Sequence, residues 1–316
     1  MKLAAAFLKL IRWPNLFFIV LTQCLFFFCI ILSTYQGHAL QHAWFLTWNS
    51  FGWITISSVL IAAAGYIIND YFDLAIDQVN KPAAIIVQKI IKRRWAIFWH
   101  MSLSVLAIMI TFFVAWQIGN WVIGPANIAA VFLLLFYSTT FKKKFLIGNI
   151  IISLLTAWVV FVLYIAELDL VTFTREQAYQ QAMTRIFKLA VLYGGFAFII
   201  SLVREVIKDM EDIKGDEKFG CRTMPVVWGI PASKVFAGVW LVVLITAVLI
   251  LFVYAILIGW WWAAAFVLLL VVLPLVRILR RLYSAVTMAD FHAISSWIKW
   301  VMLSGIISMV FFKWHI

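Results

Sequence analysis

Asp70, Asp73 and Asp77 lie at i, i+3 and i+7 in the stretch NDYFDLAIDQVNKP, and Asp209, Asp212 and Asp216 repeat that spacing in KDMEDIKGDEK. At 3.6 residues per turn, such positions share one helical face. Three like charges on one face repel one another unless a cation compensates them. Carboxylates are the hard oxygen donors that Mg²⁺ takes alongside waters and substrate phosphates. Two such faces could hold two or more Mg²⁺ ions and clamp a diphosphate. With Glu205, Glu211 and Glu217, the two clusters hold nine of the chain's 13 acidic residues. Acids kept merely as wet loop residues would be scattered over all the loops.

Basic residues that suit the same ligand lie nearby. Lys142, Lys143 and Lys144 follow LLFYSTTF, Arg204 and Lys208 precede the second cluster, and Arg222 follows it. Lys and Arg neutralise phosphate oxygens alongside a metal. Arg204, one turn before Lys208 on the aspartate-bearing segment, is the best placed. Each of these cations has a second explanation in membrane topology.

The elements that must position these groups are transmembrane helices. The chain has 316 residues, 66% hydrophobic and only 12% charged, far from the roughly one quarter charged of a soluble domain. Apolar runs of the roughly 20 residues needed to cross a bilayer predict nine spans, at 13–34, 49–69, 95–117, 121–139, 145–166, 187–207, 234–258, 259–279 and 294–313. Lys2, Lys9 and Arg12, the segments Lys81 to Arg94, Lys142 to Lys144 and Arg204 to Lys234, and Arg277, Arg280 and Arg281 then share one side. The opposite loops 35–48 and 118–120 hold no Lys or Arg, and 167–186 holds two. The positive-inside rule therefore predicts a cytoplasmic N-terminus, an outside C-terminus and both acidic clusters at cytoplasmic span ends. The net charge of +12 is largely this topological signal, and no nucleic-acid partner is expected.

Other residue types carry less. Cys24, Cys29 and Cys221 form no metal-ligand pattern, and the five histidines are scattered, so the cysteines read as packing residues. Trp44, Trp48, Trp121, Trp260 to Trp262 and Trp314 fall near span ends, as an interfacial belt does. The first span is longer than a signal-peptide core and lacks a small-residue cleavage pattern, so it is kept as structure. The clusters end spans 2 and 6, which suggests two four-helix halves, about 1–140 and 141–280, plus a ninth helix within one domain.

NDYFDLAIDQVNKP resembles the N-D-x-x-D-x-x-x-D signature of the UbiA-type intramembrane prenyltransferases, and REVIKDMEDIKGDEKFGCRTMPVVWG resembles their second aspartate-rich segment with its G-x-x-T-x-P ending. IRWPN (Arg12, Asn15) and YSTTFKKKFLIGN (Tyr137 to Asn149) also resemble family segments. The resemblance implies an all-α bundle of nine transmembrane helices around a central cavity. It also implies Mg²⁺-dependent transfer of a polyprenyl group from its diphosphate to a membrane-associated or amphiphilic acceptor. Asn69 and the six aspartates Asp70, Asp73, Asp77, Asp209, Asp212 and Asp216 are expected to hold the metal–diphosphate. Lys142, Lys143, Arg204, Lys208, Arg12, Asn15 and Tyr137 are the expected substrate contacts. An allylic cation left by the departing diphosphate needs a dry apolar cavity.

The NKP ending and KDMEDIKGD resemble the branch of digeranylgeranylglyceryl phosphate synthases more than the 4-hydroxybenzoate enzymes. The expected acceptor is therefore of geranylgeranylglyceryl phosphate type, with an aromatic quinone precursor as the alternative. The chain departs from the family where relatives place a basic residue after the first motif: Ala83 and Ala84 follow Pro82. Lys81 or Lys89 is then the substitute. A cation transporter would place acids at mid-span depth, which this chain does not. A noncatalytic lipid-binding relative is the reading that the missing arginine suggests. The D-G-x-x-A-R signature of CDP-alcohol phosphotransferases is absent.

Overall fold

The structure is a computed structural model that describes residues 2–37, 46–83, 85–168 and 177–315. Ala84, Trp44, residues 38–45 of the 35–48 loop and residues 169–176 of the 167–186 loop lie outside the described residues.

With no water in a bilayer core, a spanning segment must bond its own backbone, and helices do so. The helices are α1 (Lys2–Leu10), α2 (Trp13–Gln36), α3 (Trp48–Phe72), α4 (Leu74–Asn80), α5 (Arg93–Ile118) and α6 (Ile123–Thr139), followed by α7 (Ile147–Glu167), α8 (Gln177–Lys218), α9 (Met224–Leu257), α10 (Trp261–Ser284) and α11 (Met288–Trp314). Among the described residues there is no β-strand, only an isolated bridge between Val87 and Ile91. Eight of these helices are long and apolar enough to cross a membrane, as in an integral multi-pass protein. The predicted fourth span is α6, a shorter apolar helix of 17 residues, at the lower limit for a crossing.

Sequence punctuation accounts for the helix ends. Thr47 caps α3 by accepting the Ser50 N–H, and Thr287 with Asp290 forms a capping box on α11. Gly119 closes α5 in the left-handed conformation. In α9, Gly229 (φ 79°) and Pro231 interrupt the helical backbone and kink it.

The helices approach closely at small residues. A Cβ on Gly194 would lie 2.6 Å from Phe161, and one on Gly305 would lie 2.5 Å from Phe196. One apolar cluster joins α2, α3, α5, α6, α7 and α8 with Met309 of α11, and so draws on both sides of residue 140. A second joins the acidic end of α8 to α9, α10 and α11. One buried polar network is paired across helices: the Ser57 and Thr111 hydroxyls lie 2.7 Å apart, and Asn127 bonds Thr111 and Trp158. Trp48, Trp121, Trp261, Trp262 and Trp314 are exposed, as interfacial residues must be.

Candidate functional site

The two acidic segments meet. Asp70 lies near the end of α3, which breaks at Asp73 before α4 carries Asp77. This corrects the single continuous face expected for the first triplet. The break is slight, because Asp73 N–H still bonds the Asn69 carbonyl and Asp77 N–H the Asp73 carbonyl. The second triplet does share one helix. α8 runs through the predicted end of its span at 207 to Lys218, so its acids stand on a rigid extension rather than in a loop.

Side chains of the two segments interlock. The Asn80 carboxamide donates to the Asp212 carbonyl at 3.0 Å and accepts the Gly215 N–H at 2.9 Å. Lys81 donates to Asp212 at 2.8 Å and lies 3.6 Å from Glu211. Burial opposes the Lys81 charge, but Asp212, its hydrogen bond and Glu211 outweigh it and raise its pKa. Lys89 is turned away onto the Pro82 carbonyl. Of the two post-motif lysines, it is Lys81 that reaches the second acidic segment. Asp73 and Asp216, one from each triplet, lie within electrostatic reach of each other and of Lys142.

Most of the aspartates are held by partners from elsewhere in the chain. Arg12 Nη2 is 2.8 Å from Asp70. Burial works against the Arg12 guanidinium, yet Asp70 and Tyr66 hold its pKa above its ordinary value. Asp73 is ion-paired with Lys142 and accepts Asn69 Nδ2 at 2.7 Å. Asp209 accepts Asn149 at 2.8 Å, and Asp216 accepts the Thr223 hydroxyl at 3.2 Å. The Asp77 side chain has no bonded partner among the described residues. Burial, then Asp73 and Asp70, push its pKa up to about 6.

Local backbone explains these placements. Arg12 and Leu146, non-glycines with φ of 51° and 58°, stand immediately before α2 and α7. Such conformations cost free energy and recur at sites where the surroundings enforce them. Leu146 starts the helix that carries Asn149. At Gly148 a Cβ would lie 2.8 Å from the Lys142 Cα, so glycine is what lets the Lys142 turn reach Asp73. The G-x-x-T-x-P segment is the α8–α9 corner: Gly220 turns with φ 67°, Cys221 N–H bonds the Asp216 carbonyl, and Pro225 opens α9. Burial and Asp216 push the Cys221 thiol up to about 11, which suits packing rather than nucleophilic chemistry.

Other expected contacts are placed differently. Arg204 and Lys208 both close on Glu205, at 3.1 Å and 2.9 Å. The Lys143 carbonyl accepts the Arg222 N–H, which ties the lysine turn to the α8–α9 corner. Tyr137 lies within electrostatic reach of Glu205, Asp73, Asp209 and Arg12. The Asn15 N–H bonds the Arg12 carbonyl in the first turn of α2, and among the described residues no hydrogen bond joins its side chain to the acids. Asn80, Asn149 and Thr223 are the bracing residues that spacing alone did not reveal, although all three fall within the quoted motifs.

Among the described residues, no three His, Cys, Asp or Glu side chains converge as a ready metal cage. The donor set still fits Mg²⁺: facing carboxylates, plus the buried Asn69 Oδ1, which has no hydrogen-bond partner. A cleft of about 300 Å³ opens beside α4, lined by Leu74, Gln78, Pro82 and Val87. Between the acidic segments the bundle is crossed by ion pairs.

The UbiA prenyltransferase family matches residues 26–303. The digeranylgeranylglyceryl phosphate synthase of Methanothermobacter thermautotrophicus is 30% identical over 190 residues, covering 58% of this chain and 59% of that one. The synthase of that name from Haloquadratum walsbyi is 35% identical over 195 residues, covering 61% and 60%. The matches thus span about three fifths of the length of these curated relatives. A solved UbiA homologue from Archaeoglobus fulgidus, bound to DMAPP and Mg²⁺, covers 94% of this chain and 98% of its own at 16% identity and a TM-score of 0.56. A structure reported for digeranylgeranylglyceryl phosphate synthase covers 98% and 99% at 22% identity and a TM-score of 0.63. At these identities the solved structures establish the shared fold.

Proposed function

Because this chain belongs to the UbiA prenyltransferase family, we propose that it transfers a polyprenyl group from an allylic prenyl diphosphate to a lipid-pathway acceptor of geranylgeranylglyceryl phosphate type, with Mg²⁺ and release of diphosphate. The interlock of the two acidic segments through Asn80 and Lys81 carries this reading. The curated relatives support the acceptor class, and the DMAPP- and Mg²⁺-bound neighbour supports donor and metal.

Asp70, Asp73, Asp77, Asp209, Asp212 and Asp216, with Asn69, would hold the metal. Bound Mg²⁺ supplies Lewis-acid stabilisation of the departing diphosphate. Lys142, Lys81 and Arg12, now engaged by Asp73, Asp212 and Asp70, have the diphosphate oxygens as alternative acceptors. They stabilise the charge that develops as the allylic C–O bond breaks and its electron pair leaves with the diphosphate. The apolar bundle keeps water from the carbon centre until the acceptor hydroxyl forms the new ether bond and passes its proton to the released diphosphate. The Lys and Arg distribution supports a cytoplasmic N-terminus and a cytoplasmic acidic end. It puts the C-terminus outside, with α6 as a ninth crossing.

The test incubates purified protein with a labelled prenyl diphosphate and a panel of glycerophosphate lipids and aromatic acceptors, with Mg²⁺ or EDTA. The expected product is the prenylated glycerophosphate lipid, lost with EDTA and in Asp73→Ala and Asp212→Ala. Metal-independent turnover, or full activity in both variants, overturns the reading.

A further inference from the structure

Lys299 interrupts the apolar sequence of α11, between Trp297 and Trp300. Two contacts set the register of α8 against α11. Gly305 abuts Phe196, and His292 Nδ1 lies 3.0 Å from Glu211. The helices therefore run antiparallel. Stepping from Gly305 toward His292 reaches Lys299 at the level where α8 presents Leu202 to Arg204. Ser295 and Ile298 are buried, whereas Lys299 is exposed on the flank of that packed stripe.

Basic groups outnumber the directly paired acid there. Lys299 lies in the combined field of Arg204, Lys208 and Arg12, with Glu205 as the acid within reach. Arg12 is taken by Asp70, while Arg204 and Lys208 already share Glu205. Glu205 thus pairs with two cations and faces a third, while Asp209 and Asp212 act on Lys208 from further along α8. Arg204 Nε is buried without an acceptor among the described residues, and an unmade bond at a charged donor is costly. A phosphate supplies the acceptor that Arg204 Nε lacks and negative charge for the cations gathered on Glu205. The diphosphate clamp draws instead on Lys142 and Lys81, which engage the aspartates.

We propose that Arg204, Lys208 and Lys299 form a second anion subsite at the α8–α11 seam, which takes the phosphate monoester of a lipid acceptor. The role of that lipid as acceptor rests on the transfer reaction proposed above. Arg204 and Lys208 are thereby reassigned from donor diphosphate to acceptor. Because Lys299 stands on the exposed flank of an apolar helix, a lipid-borne phosphate reaches it while its chains stay in the bilayer.

The experiment uses full-length protein in nanodiscs and compares wild type with Lys299→Met and Lys299→Arg. Direct binding is measured with a dialkylglycerol phosphate, with free glycerol 1-phosphate and phosphatidylglycerol as competitors. KM is measured separately for the prenyl diphosphate and for a glycerophosphate lipid acceptor. Lys299→Met is expected to weaken monoester binding and raise the acceptor KM by about tenfold or more, as loss of one charge-assisted hydrogen bond does. The donor KM stays within about twofold, and Lys299→Arg restores acceptor binding. Unchanged monoester binding in Lys299→Met, or an equal rise in both KM values, overturns the subsite. Equal competition by phosphatidylglycerol identifies a structural-lipid site and also overturns it; equal competition by glycerol 1-phosphate shows that the lipid chains are not read. If wild type turns over no acceptor, the transfer reading falls, while the binding arm still decides the subsite.

Discussion

Asn80 clasps Gly215: its Oδ1 accepts the Gly215 N–H at 2.9 Å, and a Cβ on that glycine would lie 2.4 Å from its Nδ2. The contact joins segments 135 residues apart and holds the two acidic triplets at a set separation. Asn80→Ala leaves the Gly215 N–H and Asp212 carbonyl without this partner and is expected to cost ~1–3 kcal/mol. Gly215→Ala forces the same clasp open by collision. The double variant is expected to lose less than the sum of the two, because both break one contact. Thermal unfolding in detergent measures all three, and strict additivity overturns the account.

Lys81 is predicted to be the basic residue that the post-motif segment contributes to diphosphate. Lys81→Met leaves Asp212 and Glu211 without their shared cation. The expected result is at least a ~10-fold fall in kcat/KM for the prenyl diphosphate, equivalent to ~1.4 kcal/mol. Lys89→Met serves as the control, because Lys89 bonds the Pro82 carbonyl. Equal losses in the two variants would remove the special role of Lys81.

Gly148→Ala is predicted to act on Lys142. The added Cβ meets the Lys142 Cα at 2.8 Å and the Phe141 carbonyl oxygen at 3.0 Å. Both are backbone atoms that cannot swing aside, so the lysine turn must shift away from Asp73. Gly195→Ala is the matched control, since a Cβ there meets nothing within 4 Å and alanine favours the helix. Prenyl diphosphate binding should weaken in the first variant and hold in the second.

The pH dependence of metal-free stability is predicted to report Asp77. Its pKa is pushed up to about 6 by burial, then by Asp73 and Asp70, against ~3.9 in the unfolded chain. The folded state thus holds this proton more tightly, and the stability so gained is lost as pH rises through about 6. Asp77→Asn should therefore be more stable than wild type at pH 7.5, by ~1 kcal/mol after allowance for solvent screening. The gap should close as pH falls from about 6 toward 4. Denaturation of both proteins across that range provides the test, and a gap independent of pH contradicts it.

The spacing of Asp70, Asp73 and Asp77 and of Asp209, Asp212 and Asp216 was readable because helical periodicity is local. Apolar length alone also located the eight long helices. The partners of the acids were not readable in this way. Arg12 meets Asp70 across 58 residues and Asn149 meets Asp209 across 60, and no period marks such pairs. The break at Asp73 was hidden because Leu74 to Asn80 resume a helix at once. That Arg204 and Lys208 both close on Glu205 was not readable either, since the turn that aims them depends on side-chain packing.

The unbroken run of α8 has a consequence of phase. Its 42 residues make a rod about 63 Å long, apolar at one level and acidic at another. A helix couples azimuth to height, so the rod is both a ruler and a protractor. One residue inserted between Leu202 and Asp209 would lift the acids by about 1.5 Å but swing them through about 100°. Seven inserted residues would nearly restore the bearing while raising the acids about 10 Å off their mark. Such a frame tolerates exchange of side chains far better than any change in count.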